Sequence, residues 1–183
     1  QGVQASGIQS DTVGAVSSLS GSGVQIGGSS LDDGSLRADS IQASGVDTEA
    51  VDVDQVSTKG LVISREDGDT AFKSSSASLT GLDTEHVDAG SLSANGLSGS
   101  VEGDDISASV GTVSAKGLTG HGGSLASGSI KGLTASGDLG DQTGAVSLES
   151  LSLSGAEHEL ASAETANARS VHASLGADGF QGG

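Results

Sequence analysis

Large aliphatic residues recur along this chain at a fixed interval of five. Ile26, Leu31, Leu36, Ile41, Val46, Val51, Val56 and Leu61 form an unbroken series. The interval also holds at Val3, Ile8 and Val13, and at Leu82, Val87, Leu92 and Leu97. Val, Ile, Leu and Phe make up 40 of 183 residues. Eight successive hits from a given start then have a chance probability on the order of 10⁻⁵ to 10⁻⁶. A smaller residue often follows two places later, as in Val3/Ala5, Leu36/Ala38, Ile41/Ala43, Val56/Thr58, Leu92/Ala94 and Val113/Ala115. Gly or Ser commonly closes the unit, at Gly7, Ser40, Gly45, Gly60, Gly96 and Gly117. The unit reads aliphatic-x-small-x-(Gly/Ser).

This period excludes an amphipathic helix, because five residues turn an α-helix through about 500° and the apolar stripe winds around it. It equally excludes a long flat strand, whose period is two. It fits a short strand followed by a corner. Positions i and i+2 face one side, a Gly or Ser bend re-aims the chain, and the next pair faces the same side again. Repeated, this predicts an all-β, single-chain β-solenoid over residues 1–183, with aliphatics and alanines inside and backbone hydrogen bonds between coils. At about twenty residues per coil and about 4.8 Å per coil, the rod has roughly nine coils and is about 40–45 Å long.

The spacing resembles that of the pentapeptide-repeat family, although large and small members of the inward pair are exchanged here, as in Leu36-Arg37-Ala38 and Ile41-Gln42-Ala43. The resemblance implies a right-handed, roughly four-sided β-helix with Gly-rich corners. Other extracellular β-helices, the filamentous-haemagglutinin type among them, are the rival architectures.

The interval slips in two places. Leu61-Val62-Ile63 and Thr70-Ala71-Phe72-Lys73 flank Asp67-Gly68, which predicts a hairpin over 62–73 that leaves the solenoid. From Val101 the spacing alternates five and seven through Ile106, Val113, Leu118, Leu125 and Ile130, which suggests a flatter coil. Residues 156–176 are rich in Ala and read either as continued coils or as a terminal helix closed by Gly176.

Composition sharpens this picture. The chain has no Pro, Cys, Met, Trp or Tyr, two Phe, and 31 Gly, with Ser commoner still. Disulfides, thiolate metal sites and cysteine nucleophiles are therefore excluded. Aromatic platforms for single-stranded nucleic acid are excluded too. No apolar run exceeds Leu61-Val62-Ile63, so no helical membrane insertion is expected. The formal charge is −17, from 24 acidic and 7 basic residues, which opposes phosphate binding. Asp outnumbers Glu and Lys is scarce, a balance suited to high salt, where repulsion is screened. Gln at position 1 and the absence of Met read as a processed, secreted chain.

Catalytic motifs are absent from the sequence. His86, His121, His158 and His172 are scattered, and His158-Glu159 lacks a second zincin histidine because residue 162 is Ser. There is no Gly-x-Ser-x-Gly elbow and no glycine-rich phosphate loop. Acidic pairs occur at Asp32-Asp33, Asp52/Asp54, Asp67/Asp69 and Asp104-Asp105; they read as a solvated face with at most weak cation binding. No cofactor is expected.

A solenoid without polar capping repeats exposes strand edges and aliphatic cross-sections at its ends. The expected function is that of a non-enzymatic, extracellular or surface structural protein, whose partner is itself. The terminal coils that would carry the association are marked by Val3, Ile8, Val13, Val171, Leu175 and Phe180. The alternative is an adhesin or a viral or phage fibre module that binds through a lateral face. Ice binding is a further alternative, as is imitation of DNA, which the resemblance implies through acidic family members that bind topoisomerase.

Overall fold

The five-residue unit is realised as a segment of strand ending at a crease. In a computed structural model of the chain, residues 2–10, 14–29, 33–48, 50–120, 122–158, 161–176 and 179–182 are described, with backbone alone for residues 10 and 179–182. Among them are twelve strands and no helix: β1 (Gly2–Ser10), β2 (Gly14–Ser22), β3 (Gln25–Gly28), β4 (Gly34–Asp47), β5 (Val51–Glu66), β6 (Asp69–Thr84), β7 (Val87–Glu102), β8 (Asp105–Gly120), β9 (Gly123–Asp138), β10 (Thr143–His158), β11 (Ala161–Gly176) and β12 (Gly179–Gly182). They form one sheet in chain order, β1-β2-β4-β5-β6-β7-β8-β9-β10-β11-β12, with β3 also on β4.

The all-β expectation holds. The coil geometry expected with it does not appear, for stacked coils of a right-handed β-helix pair in parallel, whereas every ladder here is antiparallel and the sheet is not closed. The physical reason lies at the interruptions of the five-residue interval. Short turns such as Asp67-Gly68 reverse the chain, and φ values of 51° and 93° at that pair suit a type I′ hairpin turn. Strands β5 to β9 begin at residues 51, 69, 87, 105 and 123, a step of 18 residues, so two strands make a repeat of 36. The five-seven spacing has the same origin, since Val101 and Ile106 face each other across the β7–β8 turn.

Residues 62–73 lie within the sheet, with Val62 opposite Lys73 and Ile63 opposite Phe72. Among the described residues of 156–176, residues 156–158 end β10 and 161–176 form β11.

Each full strand is divided by two corner residues. In β5 these are Asp54 and Gly60, leaving segments 51–53, 55–59 and 61–66. One corner in each strand takes the left-handed conformation, with φ of 55° to 63° at Gly7, Gly23, Gly45, Gly60, Gly81, Gly96, Gly117, Gly132 and Gly155 and 54° at Ser170. Across the sheet a left-handed corner lies opposite an ordinary one. Gly60 faces both Asp39 and Ser75, and Gly81 faces Asp54 and Gly90, as the flanking pairs fix. The corners thus line up as two creases crossing the strands.

A crease shifts the alternation of side chains by one. Val51/Val53, Val56/Thr58 and Leu61/Ile63 therefore all fall on the same face, which is why the interval is five and not a multiple of two. The opposite face of the middle segment carries hydroxyls. Ser57 and Ser78 meet at 2.8 Å, Ser18 and Ser44 at 2.7 Å, and Ser127 and Ser154 at 2.7 Å. Ala38, Val53, Ser74 and Ala89 are buried, and each immediately precedes an ordinary corner residue. Across the second crease Thr58 Oγ1 and Ser74 Oγ lie 2.8 Å apart. The sheet therefore folds toward its aliphatic face at both creases.

That face has no second layer. Each strand touches only its ladder neighbours, and no large side chain among the described residues is fully buried. The accessible surface is 11682 Å², against about 7,900 Å² for a compact monomer of this mass.

Candidate assembly surface

The residues expected to mediate self-association lie at opposite edges of the sheet. Val3 and Ile8 are on β1, the first strand; Val171 and Leu175 are on β11, next to the last. Val3 is 55% exposed and Leu175 51%. Val13 lies outside the described residues, and for Phe180 only the backbone is described, with its Cα opposite Leu175. No feature of the fold brings the two groups together within one chain.

Both edges are only partly covered. β12 pairs with residues 173–176 of β11, leaving 161–172 open on that side. β1 pairs with 14–22 and leaves the outer edge of β3 open. Ile26, on β3, is 84% exposed. The aliphatic interval located the hydrophobic members of these edges. It also runs in frame through Ala163, Ala166 and Ala168 on β11, which are not among the residues expected to associate and which fill places that Val, Ile or Leu occupy in other strands. The signal was visible as the stretch 161–170, which contains no large aliphatic residue.

Apart from the corner residues Asp39, Asp54, Glu149 and Glu164, the described acidic residues fall at or near the two ends of the strands. Asp47, Asp52 and Asp83 are directly opposite one another across β4, β5 and β6. Asp52 is exposed, yet its pKa is raised above the ordinary 3.8, first by the charge of Asp47, then by lost hydration, a hydrogen bond with Asp47 and the charge of Asp83. At the other end the carboxylates brace turns. Asp33 Oδ1 accepts from the Asp67 amide at 3.3 Å, Asp69 Oδ1 from the Gly103 amide at 3.1 Å, and Asp138 Oδ1 from the Asp141 amide at 2.8 Å. Asp32 and His121 lie outside the described residues. Among the described residues no three acidic, His or Cys side chains are grouped to hold a metal ion.

On the aliphatic face an open hollow of about 370 Å³ is lined by Ile106, Ala108, Ala135, Gly137, Val146 and Leu175, among others. Small residues on β8 to β11 create it beside the larger ones. Its chemistry is that of apolar contact.

Comparison of the chain with protein-family models, with curated proteins and with solved structures gives no match.

Proposed function

We propose that the chain is a non-enzymatic structural subunit, extracellular or on a cell surface, that associates end to end into a filament or appendage. The observation that carries this reading is the one-dimensional array itself, in which each strand touches only its ladder neighbours, so that further strands extend it without a change of geometry. An uncovered strand presents unpaired N–H and C=O groups, and another strand is their natural partner. β1 bears no charged residue among Gly2–Ser10, whereas β11 carries Glu164 and Arg169. The five-residue unit supports a likeness in spacing to pentapeptide-repeat solenoids, and no activity is carried over from them. The acidic composition supports an environment of high salt, and weak cation association with the acidic rows follows from charge alone.

Light scattering across protein concentration and salt, with electron microscopy of the same samples, tests the reading. Elongated particles whose mass grows with concentration are expected; a monodisperse monomer throughout contradicts it.

The exposed aliphatic face with its hollow supports a second reading, a fibre or adhesin module that holds a partner on that face. Point substitution of Val146 by Asp separates the two, because it alters the face and leaves both edges intact.

A further inference from the structure

The charges of this chain are sorted by place. On the face opposite the aliphatic one, the middle segments between the two creases form a band three rows wide. Its central row is of hydroxyls, with Ser57, Ser78, Ser93, Ser114, Ser129 and Ser152 opposite one another in turn. Lys59, Asn95, Lys131 and Arg169 fall in one flanking row, and Lys116 in the other. The chain has 24 acidic residues and only 7 Lys and Arg. Among the described residues no acidic one stands on this band, yet Lys59, Lys116, Lys131 and Arg169 all do. These four are exposed and make no ion pair with a described residue. With carboxylates so abundant, unpaired cations gathered where acid is excluded do not serve the fold of their own chain.

The carboxylates that answer them are collected elsewhere. At the far end of the long segments Glu66 is opposite Asp69, Glu102 opposite Asp105, and Asp105 opposite Asp138. Asp69 and Glu102 lie one step beyond the pair of Thr70 and Val101. Five carboxylates therefore follow one another across β5 to β9, and no Lys or Arg interrupts them. Like charges directly opposite in a ladder are destabilising, so this row gains from an external cation. The two rows share a pitch. Lys59, Asn95 and Lys131 recur at 36 residues, and so do Glu66, Glu102 and Asp138. That interval is two strands, or about 9.6 Å at the usual spacing.

We propose that the hydroxyl band of one copy docks the carboxylate row of a second copy, so that filaments associate side by side. This rests on the filament reading. Exposed ion pairs are individually weak, and a row repeated along a filament adds them into a stable contact. The shared pitch keeps cations and carboxylates in step along the sheet, which favours a second copy over an unrelated anionic polymer. The small serines between the cations let carboxylates approach. In a pair such as Ser57 and Ser78, 2.8 Å apart, one hydroxyl proton remains to donate outward.

Electron microscopy of filaments in about 0.1 M and about 1 M salt tests the contact. Bundles are expected at the lower concentration and single filaments at the higher, whereas end-to-end growth gains with salt. Lys59→Glu with Lys131→Glu should abolish bundles and leave filaments of the parent's length. Lys59→Gln with Lys131→Gln, which removes charge alone, should thin them. Glu66→Lys with Glu102→Lys, added to the Lys59→Glu and Lys131→Glu chain, should restore them. Bundles that survive the first reversal, fail to return after the second, or never form in the parent overturn the contact and leave the filament reading standing. So does retention of alginate, a carboxylated polysaccharide, by single parent filaments and not by the Lys59→Glu and Lys131→Glu variant, which assigns the band to an external polyanion. Absence of filaments from every sample overturns both.

Discussion

The corner residues carry the geometry of this molecule, and their requirements are sharply unequal. Gly60 combines a φ of 61° with a position where a Cβ would run into the side chain of Ser75. Gly60→Ala should therefore destabilise by about 2 kcal/mol, from left-handed strain together with the crowding. Ser170 occupies the same conformation, φ 54°, with a side chain that disfavours it. Ser170→Gly should raise stability by about 1 kcal/mol. Denaturant midpoints of the two variants test both signs. The row of Asp47, Asp52 and Asp83 makes a separate prediction. Because the folded-state pKa of Asp52 is raised, its charged form opposes folding at neutral pH. That opposition is lifted as pH falls through the raised folded value toward the ordinary 3.8. Stability from this site should thus increase on mild acidification. Asp52→Asn should raise the melting temperature at pH 7 and flatten its response to pH and salt; an unchanged or lower value would contradict the repulsion.

At the scale of elements, the structure is a one-dimensional array of strands whose alternate members differ in corner placement. β5, β7, β9 and β11 have their ordinary corner at the fourth residue, whereas β6, β8 and β10 have it at the seventh. Deletion of residues 69–104, two strands, should therefore leave a shorter folded sheet with both creases continuous. Deletion of residues 69–86, one strand, should break both creases and lose cooperative melting by circular dichroism. The turns that join strands at the other end repeat at the same interval. Thr84 Oγ1 accepts from the Val87 amide at 2.9 Å and donates to its carbonyl at 2.7 Å, and Thr48 Oγ1 holds Val51 in the same way, at 3.0 Å in both directions. Thr84→Val should cost about 1 kcal/mol. Much of this element design could be read from sequence. The unit aliphatic-x-small-x-Gly located strand segments and corners, and Gly7, Gly45, Gly60, Gly96 and Gly117 are all left-handed. Ser40, assigned the same role, is an ordinary strand residue opposite Lys59. Strand direction was not legible. A corner that re-aims a coil and a crease that bends a strand ask the same residues for the same side-chain phase. Only the turns separate them, and in the sequence a turn that leaves a coil and a turn that reverses a strand break the five-residue interval alike.

For the whole molecule, an uncovered aliphatic face and a charge of −17 act in opposite senses on association. The Debye length falls from about 10 Å at 0.1 M salt to about 3 Å at 1 M, so repulsion between copies shrinks while backbone pairing at the edges is retained. Assembly should accordingly strengthen between these salt concentrations, and thermal stability should rise with protein concentration once copies associate. The end residues inferred from sequence, Val3, Ile8, Val171 and Leu175, are on the two edges that such assembly would join. A filament that continues this sheet stacks antiparallel strands across its axis at the usual spacing of about 4.8 Å. Electron microscopy of filaments grown in high salt measures this directly. The account predicts antiparallel strands stacked across the filament axis at about 4.8 Å; a coiled solenoid with parallel strands, or subunits that never associate, would contradict it.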